Sequence, residues 1–169
     1  MWSRYWNQAT PKQRRAGLRW YARARGEVRT LAHDTGTGES VAAGVVAALS
    51  VRQRWDRNLA LARVCLRGGR VRGVLPWART TAYWIRRGAD PDTVLAMKTR
   101  AFYRALLGER DAVVLDVWMW RGAGRNIPTR RQAAYDRYAT VLRREAARAG
   151  VAPVHYQAVV WVVLRSGAT

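Results

Sequence analysis

Val41-Ala42-Ala43-Gly44-Val45-Val46-Ala47-Ala48-Leu49 is apolar almost all the way round a helix. A helix without a polar face has to be covered by its neighbours. This stretch therefore predicts a buried central helix, and with it a domain built on helices. Upstream, Asp34-Thr35-Gly36-Thr37-Gly38 reads as a turn. Before that, Thr10-Pro11 supplies an N-cap and a first helical residue. Trp20, Tyr21, Ala24, Val28 and Leu31 then fall on one apolar face at helical spacing. Downstream, Trp55, Leu59, Ala62 and Leu66 share a stripe, Arg52, Arg54, Arg57, Arg63 and Arg67 fill the other faces, and Gly68-Gly69 ends the helix.

The same punctuation continues to the end of the chain. A short helix is expected after Pro76, with Trp77, Thr81, Trp84 and Ile85 on one side and Gly88 as its stop. Asp90-Pro91 is a second N-cap and N1 pair, and its helix is expected to run to about Leu107, before Gly108. Ala112 to Trp120 suits a buried strand as well as a helix, because of its β-branched residues. Thr129 is placed to cap a helix ending near Ala149, with Ala134, Tyr138, Val141 and Leu142 on its face. Tyr156 to Arg165, after Pro153, is read as helix because its surroundings are helical and no partner strand is evident. The expectation is one all-α domain over 1–169, with about seven to nine short helices.

Composition narrows the function classes. Lys and Arg total 31 against 11 Asp and Glu, a formal net charge of +20, while 49% of residues are hydrophobic. A disordered basic tail lacks that apolar content. All the cationic side chains are arginines except Lys12 and Lys98. The guanidinium fork holds phosphate oxygens bidentately, so this field points to nucleic acid, and DNA is the expected partner. The single cysteine, Cys65, excludes a disulfide scaffold and a cysteine-rich metal cluster, and reads as a small core residue. His33 and His155 have no metal-ligand spacing. Neither a metal nor a cofactor is required. With no secretory signal and no membrane-length apolar run, a cytoplasmic protein without a membrane partner is expected.

Two residues stand where charge is costly. Lys98 lies three residues after Leu95 and four before Phe102, spacings that put it on the apolar face of the helix opened by Asp90-Pro91. Arg100 and Arg104 lie off that stripe. An inward lysine is either a snorkelling side chain at the edge of the core or a nucleophile able to form a Schiff base. Asp116 interrupts Val113-Val114-Leu115-Asp116-Val117-Trp118-Met119-Trp120. A carboxylate in such a run needs a partner. It is a helix N-cap, a partner for Arg121, or a functional group.

The order of these features resembles the helix-hairpin-helix DNA glycosylase superfamily of the endonuclease III type. The resemblance covers roughly residues 41–121. Ala47-Ala48-Leu49-Ser50 followed by Trp55 and Asn58 is similar to the family's buried helix ending in Leu-Ser. Lys98-Thr99 matches its Lys-Thr-Ala, with Arg100 in place of the alanine. Leu115-Asp116 matches its catalytic aspartate, and Trp118 stands where the family has a histidine. The family's Gly-hydrophobic-Gly hairpin is here Val94-Leu95-Ala96, so its backbone phosphate clamp is altered and Arg100 is a substitute for it. The family's glutamine after Leu-Ser is displaced: Arg52 holds that place and Gln53 follows. A compact branch encoded by phages of actinobacteria, without the iron–sulfur cluster, is more similar still. It shares a Leu-Asp-x-Trp segment and a C-terminal Gln-Ala-x-x-Trp, here Gln157-Ala158-Val159-Val160-Trp161. For a phage-encoded protein the expected location is the host cytoplasm.

The resemblance implies an all-α fold with a cleft between two helical lobes, the C-terminal helices (129–166) packing back on the core. It implies excision or processing of a flipped base, with Lys98 as nucleophile and possible lyase, and Asp116 steadying the sugar cation. Ser50, Arg52, Gln53, Arg54, Asn58, Arg100, Trp118 and Arg121 are the implied DNA contacts, and Trp55, Trp118 and Trp120 the candidates for stacking on the base. Two alternatives stay open: base hypermodification of phage DNA on the same fold, and a non-catalytic basic DNA-binding protein.

Overall fold

The nine apolar residues from Val41 to Leu49 sit in helix α3 (Glu39–Leu49), and every one from Ala42 onward is buried. The computed structural model describes residues 1–125, 129 and 131–167. All regular structure among them is helical: α1 (Ser3–Gln8), α2 (Pro11–Thr35), α3, α4 (Trp55–Leu66), α5 (Pro76–Arg86), α6 (Pro91–Val94), α7 (Met97–Leu106), α8 (Val117–Gly122), α9 (Gln132–Arg148) and α10 (Pro153–Ser166). The expected all-α class is thus what forms.

The chain divides into two compact units, one of residues 24–107 and one of residues 1–23 with 108–169. In the central unit, α3 is the hub, in contact with α4, α5, α6 and α7. In the other unit α10 has that place, touching α1, α8 and α9. The helix starts follow local chemistry. Thr10 and Gln13 form a reciprocal cap on α2, Gln13 N–H donating to Thr10 Oγ1 at 3.2 Å and Thr10 N–H to Gln13 Oε1 at 2.9 Å. Asp90 caps α6 through the Asp92 N–H at 3.0 Å.

Ten helices form among the described residues where about seven to nine are expected, and several helix ends and buried faces differ from those expected. The helix opened by Asp90-Pro91 does not run to Leu107. It stops at Val94, Leu95 and Ala96 take extended backbone, and α7 starts afresh at Met97. On α5 the inward side chains are Ala78, Ala82 and Ile85, while Trp77 and Trp84 are 49% and 54% exposed. Small residues let α5 lie close against the small-residue surface of α3, and the large rings stay outside. On α4 the buried positions are Asn58, Ala62, Cys65 and Leu66, with Trp55 and Leu59 only half-buried. α9 begins at Gln132 with Arg131 at its N-cap, so Thr129 does not cap it; Thr129 Oγ1 accepts from the Arg131 N–H instead. The buried residues of α9 are Tyr135, Ala139, Leu142, Glu145 and Ala146, flanked by half-buried Ala134, Tyr138 and Val141.

The ambiguous stretch from Ala112 divides as well. Residues 112–116 are irregular and 117–122 are α8. Buried backbone needs hydrogen-bond partners, and side chains supply them here in place of a neighbouring strand. Val114 N–H donates to Gln157 Oε1 at 2.7 Å. The Tyr135 hydroxyl accepts from Leu115 N–H at 3.1 Å and donates to the Val113 carbonyl at 2.7 Å.

Candidate functional site

The central unit holds Lys98, Arg100 and the residues of the α3–α4 turn. Lys98 is in the first turn of α7, directly behind the extended Leu95-Ala96 step. Leu95 lies outside that helix, so its spacing from Lys98 defines no common face. The buried residues of α7 are Thr99, Phe102, Tyr103, Ala105 and Leu106. Lys98 is half-buried at the border of that face, its Nζ 6.0 Å from the Phe102 ring centroid. Arg100 turns back on the α6–α7 connection: Nε and Nη2 both donate to the Leu95 carbonyl, at 3.2 and 2.9 Å. Thr99 Oγ1 donates to the Ala96 carbonyl at 2.9 Å. The connection without glycines is thus held by side chains on its own carbonyls.

In the α3–α4 turn, Ser50 Oγ donates to the Ala47 carbonyl at 2.8 Å. Arg52 is the residue that bends the chain, at φ +59°, a left-handed conformation disfavoured for side chains with a Cβ. Its side chain is exposed. Gln53 Nε2 donates to the Gly73 carbonyl at 3.2 Å, tying the turn to the loop before α5. Arg54 is exposed and 3.7 Å from Asp56. Asn58 is 1% exposed and donates to the Val46 carbonyl at 3.0 Å. Its amide therefore joins α4 to α3 and is not a surface contact. Between turn and loop lies a groove of about 310 Å³, lined by Val51, Arg52, Gln53, Arg57, Gly73, Val74 and Leu75.

The other unit holds Asp116, Trp118 and Arg121. Asp116 is the N-cap of α8: Oδ1 accepts from the Trp118 and Met119 N–H groups, both at 3.0 Å, and Oδ2 accepts from Trp161 Nε1 at 2.8 Å. Arg121 is exposed, with its guanidinium carbon 5.1 Å from the centroid of the half-buried Trp118 ring. Trp120 is 1% exposed, so it is core and offers no stacking surface. The two segments singled out in the sequence, Leu115-Asp116-x-Trp118 and Gln157-Ala158-x-x-Trp161, are stitched to each other. Gln157 and Trp161, one turn apart on α10, hold Val114 N–H and the Asp116 carboxylate. Gln157 Nε2 also donates to the Tyr21 hydroxyl at 3.2 Å. Burial pushes the Tyr135 hydroxyl up to about 12 and raises that of Tyr21 as well, so both remain neutral hydroxyls.

Sequence reasoning did not single out the Arg57–Gly73 side of the groove. The spacing placed Arg57 on an outer face of α4, yet nothing local announces that it meets a loop sixteen residues on. Among the described residues no cluster of three His, Cys, Asp or Glu is placed to hold a metal. No helix among them is long and apolar enough to cross a membrane.

A family described as one of unknown function, DUF7178, matches residues 2–168. The chain belongs to this family. No curated protein and no solved structure matches it.

Proposed function

We propose that this DUF7178 protein is a DNA-binding enzyme of the glycosylase type, acting on a base turned out of the stack. One observation carries the reading. Lys98 and Asp116 each stand at the start of a helix, the lysine behind the α6–α7 connection and the aspartate at the cap of α8. The surplus of arginines supplies phosphate contacts. Lys98 Nζ attacks the anomeric carbon through its lone pair. The N-glycosidic bond breaks, and the base leaves with the bonding electrons and takes up a proton. The sugar ring then opens to an imine on Nζ. The resemblance gives Asp116 the part of stabilising positive charge on the sugar as the bond breaks. The Trp118 and Met119 N–H groups and the Trp161 indole fix both its oxygens in place.

The same three hydrogen bonds also suit a purely structural aspartate, as in a non-catalytic DNA-binding protein, and variants separate the two. Borohydride with DNA carrying abasic or modified bases is expected to trap a covalent adduct with the wild type and none with Lys98→Ala. Asp116→Asn is expected to stay folded, because its amide oxygen still caps α8 although its NH2 cannot accept from Trp161 Nε1, and to lose base release. An Asp116→Asn protein that still releases base removes Asp116 from the chemistry. No base release by the wild type from any modified duplex removes the enzyme.

A further inference from the structure

Two tryptophans on one side of α5 have no place in the core. Trp77 and Trp84 are seven residues apart, so they share a face about 10 Å apart along the axis, and both are about half exposed. Most tryptophans are largely buried, and two on one helix face mark a contact surface. The chain around them has one sign of charge. From Arg57 to Ala89 there are eight arginines and no acidic residue. Arg86 and Arg87 end the helix itself, both exposed. The groove described above adjoins along the chain, since its Leu75 is the N-cap residue of α5. Arg52 and Arg57 line that groove, and no acidic side chain does. The Arg57 guanidinium lies over Gly73, 2.5 Å from where a Cβ would stand, and Gly73 itself is at φ +71°. Any larger residue would displace the guanidinium as well as strain the loop.

We infer that α5 and the adjoining groove bind single-stranded nucleic acid, with bases stacked on Trp77 and Trp84 and phosphates held by Arg52 and Arg57. Aromatic faces interleaved with arginines are the chemistry of single-strand binding, because unpaired bases expose their π-faces and a duplex does not. Charge selects this occupant. A second copy of a chain at +20 is repelled, and a neutral apolar partner leaves the arginines without counter-charge. The inference rests on the DNA-binding reading above and deepens it, naming the strand state that this face takes.

The test is fluorescence anisotropy with a labelled 15-mer oligothymidylate and with the same oligomer in duplex form. The proteins are wild type, the Trp77→Ala/Trp84→Ala double variant, the corresponding double Phe variant and Arg52→Ala/Arg57→Ala. All substituted side chains are exposed or half exposed, so the fold is retained. The double Ala variant is expected to lose about tenfold or more on the single strand and less than about twofold on the duplex, with the double Phe variant recovering most of the loss. The double Arg variant is expected to weaken both and to flatten the salt slope by about 1 to 2. Equal losses of the double Ala variant on both probes, or no loss on the single strand, overturn the assignment. Tight duplex binding with no tryptophan effect overturns this inference alone. Binding of neither probe by the wild type overturns the DNA-binding reading as well.

Discussion

Cys65 shows how far a single residue was legible. Its place between apolar neighbours indicated a core thiol, and it is fully buried. Burial pushes the thiol up to about 11, with nearby Arg86 offsetting part of the rise. The native protein is therefore expected to resist iodoacetamide at pH 8 and to react only when unfolded. The folded state keeps the proton that the unfolded thiol gives up, so Cys65 stabilises the fold below about pH 9. That contribution declines between about 9 and about 11. Urea titrations of wild type and Cys65→Ala across that range check the sign: the gap between them should narrow as pH rises. Lys98 was less legible. Its spacing from Leu95 counted as helical only while 91–107 was one helix. No Gly or Pro at 95 or 96 announces the break, and the Arg100 clamp on Leu95 becomes visible only in three dimensions.

At the scale of elements, starts and stops were legible and faces were not always so. Pro11, Pro76, Pro91 and Pro153 each open a helix, because a missing N–H costs nothing there. Trp77 and Trp84 share one side of α5, as their spacing requires, but the buried side is that of Ala78 and Ala82, because close helix packing favours small side chains. Within α2, two glycines give opposite predictions. Gly17 lies against α10, where a Cβ would stand 2.5 Å from the Val159 Cα; at Gly26 it would meet nothing within 4 Å. In a helix interior Gly→Ala gains about 1 kcal/mol on propensity alone. Gly26→Ala is therefore expected to stabilise by about 0.5–1 kcal/mol. Gly17→Ala has to force backbones apart and is expected to destabilise by about 1–3 kcal/mol. Chemical denaturation of the two variants checks both signs.

For the whole molecule, the all-α class and the basic field were legible, while the tertiary partners of the 112–116 segment were not. Its β-branched residues suit a buried strand as well as a helix, and the segment takes neither form. Only Tyr135 and Gln157, twenty or more residues from the backbone groups they hold, explain why no second strand is needed. The net charge of +20 sets the prediction at this scale. Affinity for duplex DNA should fall by about a thousandfold or more between 50 and 200 mM salt if six or more phosphates are engaged. A filter-binding series measures the slope, and a flat one removes the polyanion reading.

The unit built from both ends of the chain has a consequence during synthesis. Residues 24–107 are contiguous and can close around α3 as soon as they are free of the ribosome. Residues 1–23 have no such neighbour. Trp2, which ends fully buried, and Trp6, which ends stacked on Tyr156 with ring centroids 4.8 Å apart, wait for α9 and α10 to be translated. Through that interval the nascent chain carries Trp2 and Trp6 uncovered, so the last unit to be translated completes the packing of the first residues made.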